Sequence, residues 1–204
     1  QMKLAALEAM WETEAAPAPF TVVAWPDQQA RSNHGEVQVP WALGLIATRS
    51  LDKPLPGIKD LVAKTELRIR NGIIAYDALR RYRADRKDTV ARAVLTQHSA
   101  DLGYALLLKR QLDDPRMADD AAIKAAAWDT VPNVAPLFWS FRFMVALGFW
   151  FIVLFGAAFW AACQRRFDKR WLLKAAAWSW PLPWIASELG WIVAEYGRQP
   201  WAIS

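Results

Sequence analysis

Residues 143–163 read F-M-V-A-L-G-F-W-F-I-V-L-F-G-A-A-F-W-A-A-C, without a single charged side chain. The hydrocarbon core of a bilayer is about 30 Å thick, and an α-helix needs roughly 20 apolar residues to cross it. A helix also satisfies its own backbone hydrogen bonds in lipid, which an irregular segment cannot do. The stretch therefore predicts a transmembrane helix, and the rest of the chain is interpreted relative to it.

A basic loop after this helix predicts its orientation. Residues 164–174 contain five cations: Arg165, Arg166, Lys169, Arg170 and Lys174. Positively charged loops tend to stay in the cytoplasm, so we expect 164–174 to be cytoplasmic and residues 1–137 to be extracytoplasmic. Residues 178–196 are apolar again and are predicted to return across the membrane, with Pro181 and Pro183 distorting the first turns.

The second apolar stretch ends in polar residues, E-L-G-W-I-V-A-E-Y-G-R-Q-P-W at 188–201. Glu188, Trp191 and Glu195 fall at i, i+3 and i+7, so they share one helix face with the carboxylates about 10 Å apart along the axis. Arg198 continues this stripe. A charged group at mid-membrane costs about 3 kcal/mol or more unless it faces protein, a cofactor or water. The stripe therefore implies a partner other than lipid.

The first 137 residues alternate charged and apolar positions, as water-exposed helices do. Apolar spacings of three and four predict helices at 3–14 and 59–82. Asp88 can cap a helix reaching about residue 110, and Asp119 or Asp120 a short third one. Residues 21–25 and 36–39 suggest a small β-hairpin. The predicted fold class is an all-α membrane protein: a transmembrane helix-bundle fragment, 138–204, with a mainly helical extracytoplasmic loop domain, 1–137.

Composition argues against several classes of function. The chain has 204 residues, a net charge of +5 and 13 tryptophans, which suit interfacial belts better than a soluble domain. No basic patch is interleaved with aromatics, so nucleic acid is not an expected partner. The single Cys163 excludes an intrachain disulfide and a cysteine metal cage. His34 and His98 lack neighbours at metal-ligand spacing and are interpreted as surface or capping residues.

Both ends of the chain look like cuts within a longer protein. The chain opens directly into an amphipathic pattern without an apolar leader, and it stops beside a membrane segment. We therefore expect it to be a fragment.

The candidate residues near the membrane each allow a plain structural interpretation beside a functional one. Met144 is either core filler in an apolar helix or a soft axial ligand for haem iron. Arg142 is either an interfacial anchor or a partner for propionates. Glu195 either pairs with Arg198 near the interface or has a functional role. Trp191 either packs or lines a site.

Spacing says less about Lys3 and Glu8. They are five residues apart, about 140° around a helix, so periodicity alone leaves them on a solvated surface. Glu188 lies two turns deeper than Glu195, out of reach of lipid headgroups, and is assigned a polar or proton-handling role.

Several runs of sequence together resemble one family, subunit I of the cytochrome bd-type quinol oxidases. In the first part of the chain they are K-L-A-A-L-E-A-M-W-E-T (3–13), G-L-I-A-T-R-S (44–50) and D-L-G-Y-A-L-L-L-K-R (101–110). In the membrane part they are F-R-F-M-V-A-L-G-F (141–149), P-L-P-W-I-A (181–186) and G-W-I-V-A-E-Y-G-R-Q-P-W (190–201). The resemblance spans essentially the whole chain, and the last motif is too specific for a chance match.

The resemblance implies that residues 1–137 form the long version of the extracytoplasmic quinol-binding loop. Glu8 would accept a proton from the quinol hydroxyl, and Lys3 would hold or polarise the ring oxygens. Residues 138–204 would be a transmembrane helix pair that carries haem ligands.

The membrane residues match the haem-binding groups of the family. Met144 would be an axial ligand of the low-spin haem b iron, with Arg142 close to the propionates of that haem. Glu195 would ligate the high-spin haem b iron, and Trp191 and Arg198 would pack around the haems of the oxygen-reducing site. The histidine ligands to low-spin haem b and haem d belong to earlier helices, so this chain alone should not hold haem d.

The activity that the resemblance implies is that of a respiratory terminal oxidase in the bacterial inner membrane. Quinol is oxidised outside, O2 is reduced to water through two haems b and haem d, and a proton gradient forms without pumping. The implied partners are the rest of subunit I, oxidase subunit II, a small single-span subunit and membrane lipid. The competing hypothesis is a non-enzymatic two-span membrane protein with an outer ligand- or partner-binding domain, which predicts no pigment.

Overall fold

The computed structural model describes residues 1–48, 50, 52–165 and 168–198. The described residues are mostly helical, which confirms the helical fold class in outline, and they include one β-hairpin. The strands are β1 (Phe20–Asp27) and β2 (Ser32–Val39). The helices are α1 (Met2–Leu7), α2 (Ala42–Thr48), α3 (Ile58–Ala84), α4 (Thr89–His98), α5 (Leu102–Ala105), α6 (Asp120–Trp128), α7 (Val134–Cys163), α8 (Arg170–Ser179) and α9 (Leu182–Tyr196). The motifs at 44–50 and 190–201 and the basic loop include residues outside this description: Arg49, Arg166, Gln199, Pro200 and Trp201.

The predicted hairpin is present, with longer strands than expected. β1 and β2 pair in antiparallel register. The Asp27 carboxylate closes the turn, because it accepts hydrogen bonds from the amides of Gln29 (2.8 Å) and Ala30 (2.9 Å). Trp25 of β1 meets Trp139 of α7 edge to face, with ring centroids 6.0 Å apart. The hairpin therefore packs against the start of the membrane helix.

α1 is about half as long as the helix predicted at 3–14. The chain leaves helical geometry at Ala9, whose φ is +51°. The next two carbonyls bond to the start of α3: the Ile58 amide donates to Met10 (2.8 Å) and the Lys59 amide to Trp11 (3.0 Å). The prediction was wrong over its second half because these tertiary hydrogen bonds compete with helix propagation, and periodicity does not report them.

The predicted helices with side-chain caps are confirmed at their starts. Asp88 accepts from the Ala91 amide at 2.8 Å, and Asp119 from the Ala122 amide at 2.7 Å. α3 also lies close to its predicted bounds.

The helix that begins after Asp88 ends at His98, so its predicted extension to about residue 110 is wrong. The chain turns there to follow α3, where Arg68 Nε donates to the Asp101 carboxylate at 2.6 Å. Gly72 permits the close approach, since a Cβ at that position would stand 2.5 Å from the carbonyl oxygen of Asp101 and 2.8 Å from the amide nitrogen of Ala105. Short turns packed on α3 replace the longer helix.

α7 is the one helix in the described part of the chain that is long and apolar enough to cross a membrane. Its 30 residues begin at Val134, ahead of the uncharged run. Val134, Leu137 and Phe138 are fully buried among the loop's core residues, whereas Phe155, deeper in the helix, is 67% exposed. A single unbroken helix thus belongs to both the loop core and the membrane part.

The predicted return crossing at 178–196 is not one continuous helix. α8 ends at Ser179, and α9 begins beyond Pro181. The 15 residues of α9 span about 22 Å at the usual rise per residue, which is less than the hydrocarbon core of about 30 Å. Proline cannot supply the amide that would continue the helix. The Trp150 indole donates to the Ser179 hydroxyl at 2.8 Å and ties α8 to α7.

The approach at Gly72 generates a first prediction. Gly72→Ala would force α3 away from the turn at 101–105, and overpacking of this kind costs about 1–3 kcal/mol. We expect faster amide hydrogen exchange in residues 101–110 of the intact parent protein. Gly103→Ala is the matched control, because a Cβ there meets nothing within 4 Å. Equal protection in the two variants would contradict the close packing.

Candidate functional site

α1 contacts both α7, near its N-terminal third, and the C-terminal end of α9. At one end of α1, the Lys3 ammonium donates to the carbonyl of Ala194 on α9 at 3.3 Å. Just past the other end, Glu8 forms an ion pair with Arg142 on α7. Helical spacing predicted that Lys3 and Glu8 lie on different faces, and they do face different helices: Lys3 faces α9 and Glu8 faces α7. α1 therefore bridges α7 and α9.

Glu8 and Arg142 form a buried ion pair. The distance between Oε2 of Glu8 and Nη2 of Arg142 is 2.7 Å, and the side chains are only 3% and 9% exposed. Arg142 also donates to the backbone carbonyls of Leu7 and Thr21. Its guanidinium lies over the Phe138 ring, 3.9 Å from the centroid. Every N–H of this guanidinium faces an acceptor from the loop.

The surroundings of Glu8 favour a carboxyl that holds a proton more readily than usual. Burial raises the pKa of Glu8 above its ordinary value, and the nearby charge and hydrogen bonds of Arg142 oppose that rise. A general base works best when its pKa lies near the operating pH. The direction of the shift moves the Glu8 carboxyl towards the range that a general base requires.

A polar cleft opens beside Glu8. Its volume is about 280 Å³, and the carboxyl groups of Glu8, Glu14 and Glu36 line it. The Asn33 amide donates to Glu36 at 2.7 Å and to the Ala9 carbonyl at 2.8 Å. Burial, followed by the charges of neighbouring Glu36 and Glu12, raises the pKa of Glu14. The cleft therefore brings the buried Glu8 together with Glu36, which is exposed.

Sequence reasoning did not find this cleft or the Thr21 carbonyl that binds Arg142. Thr21, Asn33 and Glu36 come from the hairpin, and no motif or spacing relates them to Glu8. Only the docking of β1 and β2 against α1 and α7 brings them there.

Met144 lies where α7 packs against α9. Its sulfur is 3.3 Å from the position that a Cβ on residue 190 would take, so Gly190 provides the space for the thioether. Met144 is half-buried.

The polar stripe of α9 faces away from α7 and α1. Glu188, Trp191, Glu195 and Arg198 are all exposed. Glu195 and Arg198 approach to 3.7 Å, with side chains that are 50% and 63% exposed. The ion pair between Glu195 and Arg198, one of the two interpretations of Glu195, is thus present, but it is long and exposed to solvent. The Glu195 carboxylate therefore keeps lone pairs that a second binding partner could use.

The two candidate iron ligands, the Met144 thioether and the Glu195 carboxylate, fit two separate haem groups better than one. A thioether and a carboxylate are both known types of ligand to iron, and each needs further ligands from elsewhere. Met144 lies against the Gly190 side of α9, whereas Glu195 is on the exposed side, which favours separate binding partners for the two groups. Among the described residues, no group of three or more His, Cys, Asp or Glu side chains could hold a bare metal ion.

The histidines and the cysteine lie elsewhere. The His34 ring is 3.5 Å from the Asp27 carboxylate in the hairpin, and His98 ends α4. Cys163 is exposed at the end of α7.

Comparison with known proteins places the whole chain in one family. A family model described as cytochrome bd terminal oxidase subunit I matches residues 1–204. The chain is 43% identical over 203 residues to cytochrome bd-II ubiquinol oxidase subunit 1 of Escherichia coli, covering 99% of this chain and 40% of that protein. It is 25% identical over 203 residues to cytochrome bd ubiquinol oxidase subunit 1 of Bacillus subtilis, covering 99% of this chain and 31% of that protein. It therefore spans well under half the length of these relatives, and by its sequence the chain belongs to the cytochrome bd terminal oxidase subunit I family.

Proposed function

We propose that this chain is the part of a respiratory terminal oxidase in which quinol is oxidised at the outer face and electrons reach the haems that reduce O2 to water. The observation that carries the proposal is the family match along all 204 residues. The two relatives described above are named ubiquinol oxidases. The arrangement of α1 supports the proposal, because it puts the candidate quinol residues against both membrane helices.

Glu8 is the proposed acceptor of the quinol proton. Quinol loses two protons and two electrons on becoming quinone, so its site needs a base with a path to water. The buried Glu8 carboxyl provides the base, and the cleft with Glu14 and Glu36 provides a route to the outer surface. Lys3, on the helix α1 that Glu8 follows, supplies a cation suited to polarise an oxygen of the quinol ring. Protons released by this route stay on the outer side of the membrane.

The proposed haem ligands are Met144 for the low-spin haem b iron and Glu195 for the high-spin haem b iron. When bound, haem supplies one-electron redox chemistry, and with an open coordination position it binds and activates oxygen. Trp191 and Arg198 share the exposed face of Glu195 and would pack against the haems of the oxygen site, including haem d. The remaining iron ligands must come from outside this chain.

The Arg142 guanidinium already binds Glu8 and the carbonyls of Leu7 and Thr21, so it can bind a haem propionate only by giving up one of these contacts. Its longest hydrogen bond is that from Nη1 to Oε1 of Glu8, at 3.5 Å. A propionate oxygen that replaced this contact would leave the 2.7 Å bond from Nη2 to Oε2 of Glu8 intact. In this arrangement Arg142 would link the haem propionate to the quinol base.

The proposed location is the bacterial inner membrane, with residues 1–137 outside and 164–174 in the cytoplasm. α7 exposes large apolar side chains along its length, which suit lipid or neighbouring helices: Phe149, Ile152, Val153, Phe155, Phe159 and Trp160. The charged stripe of α9 needs a protein or cofactor partner, because a charged side chain that faces lipid at mid-membrane costs about 3 kcal/mol or more. The proposed partners are the rest of subunit I, oxidase subunit II and a small single-span subunit.

Substitution of the high-spin ligand tests the haem assignment. Glu195→Gln removes the anionic oxygen while keeping the shape of the side chain. We expect the reduced-minus-oxidised spectrum of the intact oxidase to lose the high-spin haem b signal and to keep the low-spin one. Glu188→Gln, on the same face two turns away, is the spectral control. An unchanged high-spin signal in Glu195→Gln, or the absence of any haem from the parent protein, would refute the assignment.

Substitution of Glu8 tests the quinol assignment through pH dependence. The base must be deprotonated to accept a proton, so activity should fall as pH drops through the Glu8 pKa, which burial holds above its ordinary value of 4.5. Glu8→Gln should lower kcat for quinol by about 100-fold or more and abolish this acidic limb. Glu66→Gln on α3, outside the cleft, should keep both. An acidic limb that survives in Glu8→Gln would assign the base to another group.

A further inference from the structure

The outer end of α9 is capped by α1. The amide of Arg198 donates to the carbonyl of Glu195 at 3.1 Å, so the last turn tightens and the Ala194 carbonyl is left for another donor. Lys3 provides that donor, with Nζ 3.3 Å from the Ala194 oxygen. A cation at this end of a helix also interacts favourably with the helix dipole.

Gly197 gives the stem of Lys3 its place. A Cβ on residue 197 would stand 2.7 Å from Cε and 2.9 Å from Cδ of Lys3, and 2.8 Å from the carbonyl oxygen of Val193, all closer than real contacts come. Val193 packs against the loop core on the same side of α9. One side of the helix end is therefore fastened to the loop, while the other side presents Glu195.

We propose that Lys3 is a positioning residue for Glu195, acting through the backbone of α9. Ala194 and Glu195 are consecutive, so a hydrogen bond that fixes the Ala194 carbonyl restrains the peptide from which the Glu195 side chain projects. Packing of the Lys3 stem on Gly197 restrains the same turn from its other end. The inference rests on the proposed function, in which Glu195 holds the high-spin haem b iron.

This role differs from direct contact with quinol, and the two have different consequences. A lysine that only held the quinol oxygens would affect the KM for quinol and leave the haem spectrum alone. A lysine that positions Glu195 affects the high-spin haem b even when electrons come from a donor that bypasses quinol. Groups that orient a metal ligand without touching the metal are known to alter metal affinity.

The test uses the intact oxidase reduced with dithionite, which needs no quinol site. Lys3→Met keeps the apolar stem and removes the ammonium. We expect it to shift, or lose the larger part of, the high-spin haem b absorbance, and Lys3→Arg to restore that signal. Lys64→Met, which removes an exposed lysine from α3, should leave the spectrum unchanged. The low-spin haem b signal, expected in every variant, reports that the protein has assembled.

A second variant reaches the same contact from α9. Gly197→Ala leaves the ammonium in the protein but pushes the Lys3 stem away and crowds the Val193 carbonyl of the same turn, so it should also perturb the high-spin signal. The inference is overturned if Lys3→Met keeps the parent high-spin signal, whatever Gly197→Ala does and even if the KM for quinol rises. Failure of the proposed function would look different, because the unsubstituted parent would then lack the b haems altogether.

Discussion

The buried ion pair between Glu8 and Arg142 holds the loop to the membrane helix. Removing one partner of such a pair costs about 3–5 kcal/mol, because the other charge is left without compensation in a low dielectric. Arg142 also binds the carbonyls of Leu7 and Thr21, so one side chain fixes both α1 and β1. The first turns of α7 complete the joint by contributing to the loop core. The position of the candidate quinol residues relative to the membrane depends on this contact.

A second constraint is the division of α9 into two sides. Gly190 and Gly197 are seven residues apart, and their missing side chains admit Met144 from α7 and Lys3 from α1. The opposite side carries Glu195 and remains exposed. Close packing on one side therefore fixes the helix, while the candidate ligand Glu195 on the other side stays exposed. Because α9 is short and the break at Pro181 separates it from α8, its position depends on this packing.

Local chemistry allowed much of the secondary structure to be predicted. The caps at Asp88 and Asp119, the hairpin and most of α3 follow from side chains and spacings within a few residues of each element. The second halves of two predicted helices failed for a common reason. At Met10, backbone hydrogen bonds to α3 replace those that would continue the helix. At Asp101, side-chain hydrogen bonds from α3 hold the turned chain against it, and such tertiary contacts leave no periodic signal. Spacing also placed Glu188, Trp191, Glu195 and Arg198 on one face, whereas the quinol-site roles of Lys3 and Glu8 came only from a resemblance to known motifs, since spacing gave these two no shared role.

By itself, the sequence determined that one uncharged stretch forms a long apolar helix, that the charged region precedes it and that a polar stripe follows. These properties depend on composition and on the order of residues along the chain. Only the tertiary structure decided that Glu8 meets Arg142, that Lys3 reaches Ala194 and that Met144 and Glu195 lie on different sides of α9. Those contacts join residues more than a hundred positions apart or depend on the rotation of packed helices, and neither is written in local spacing.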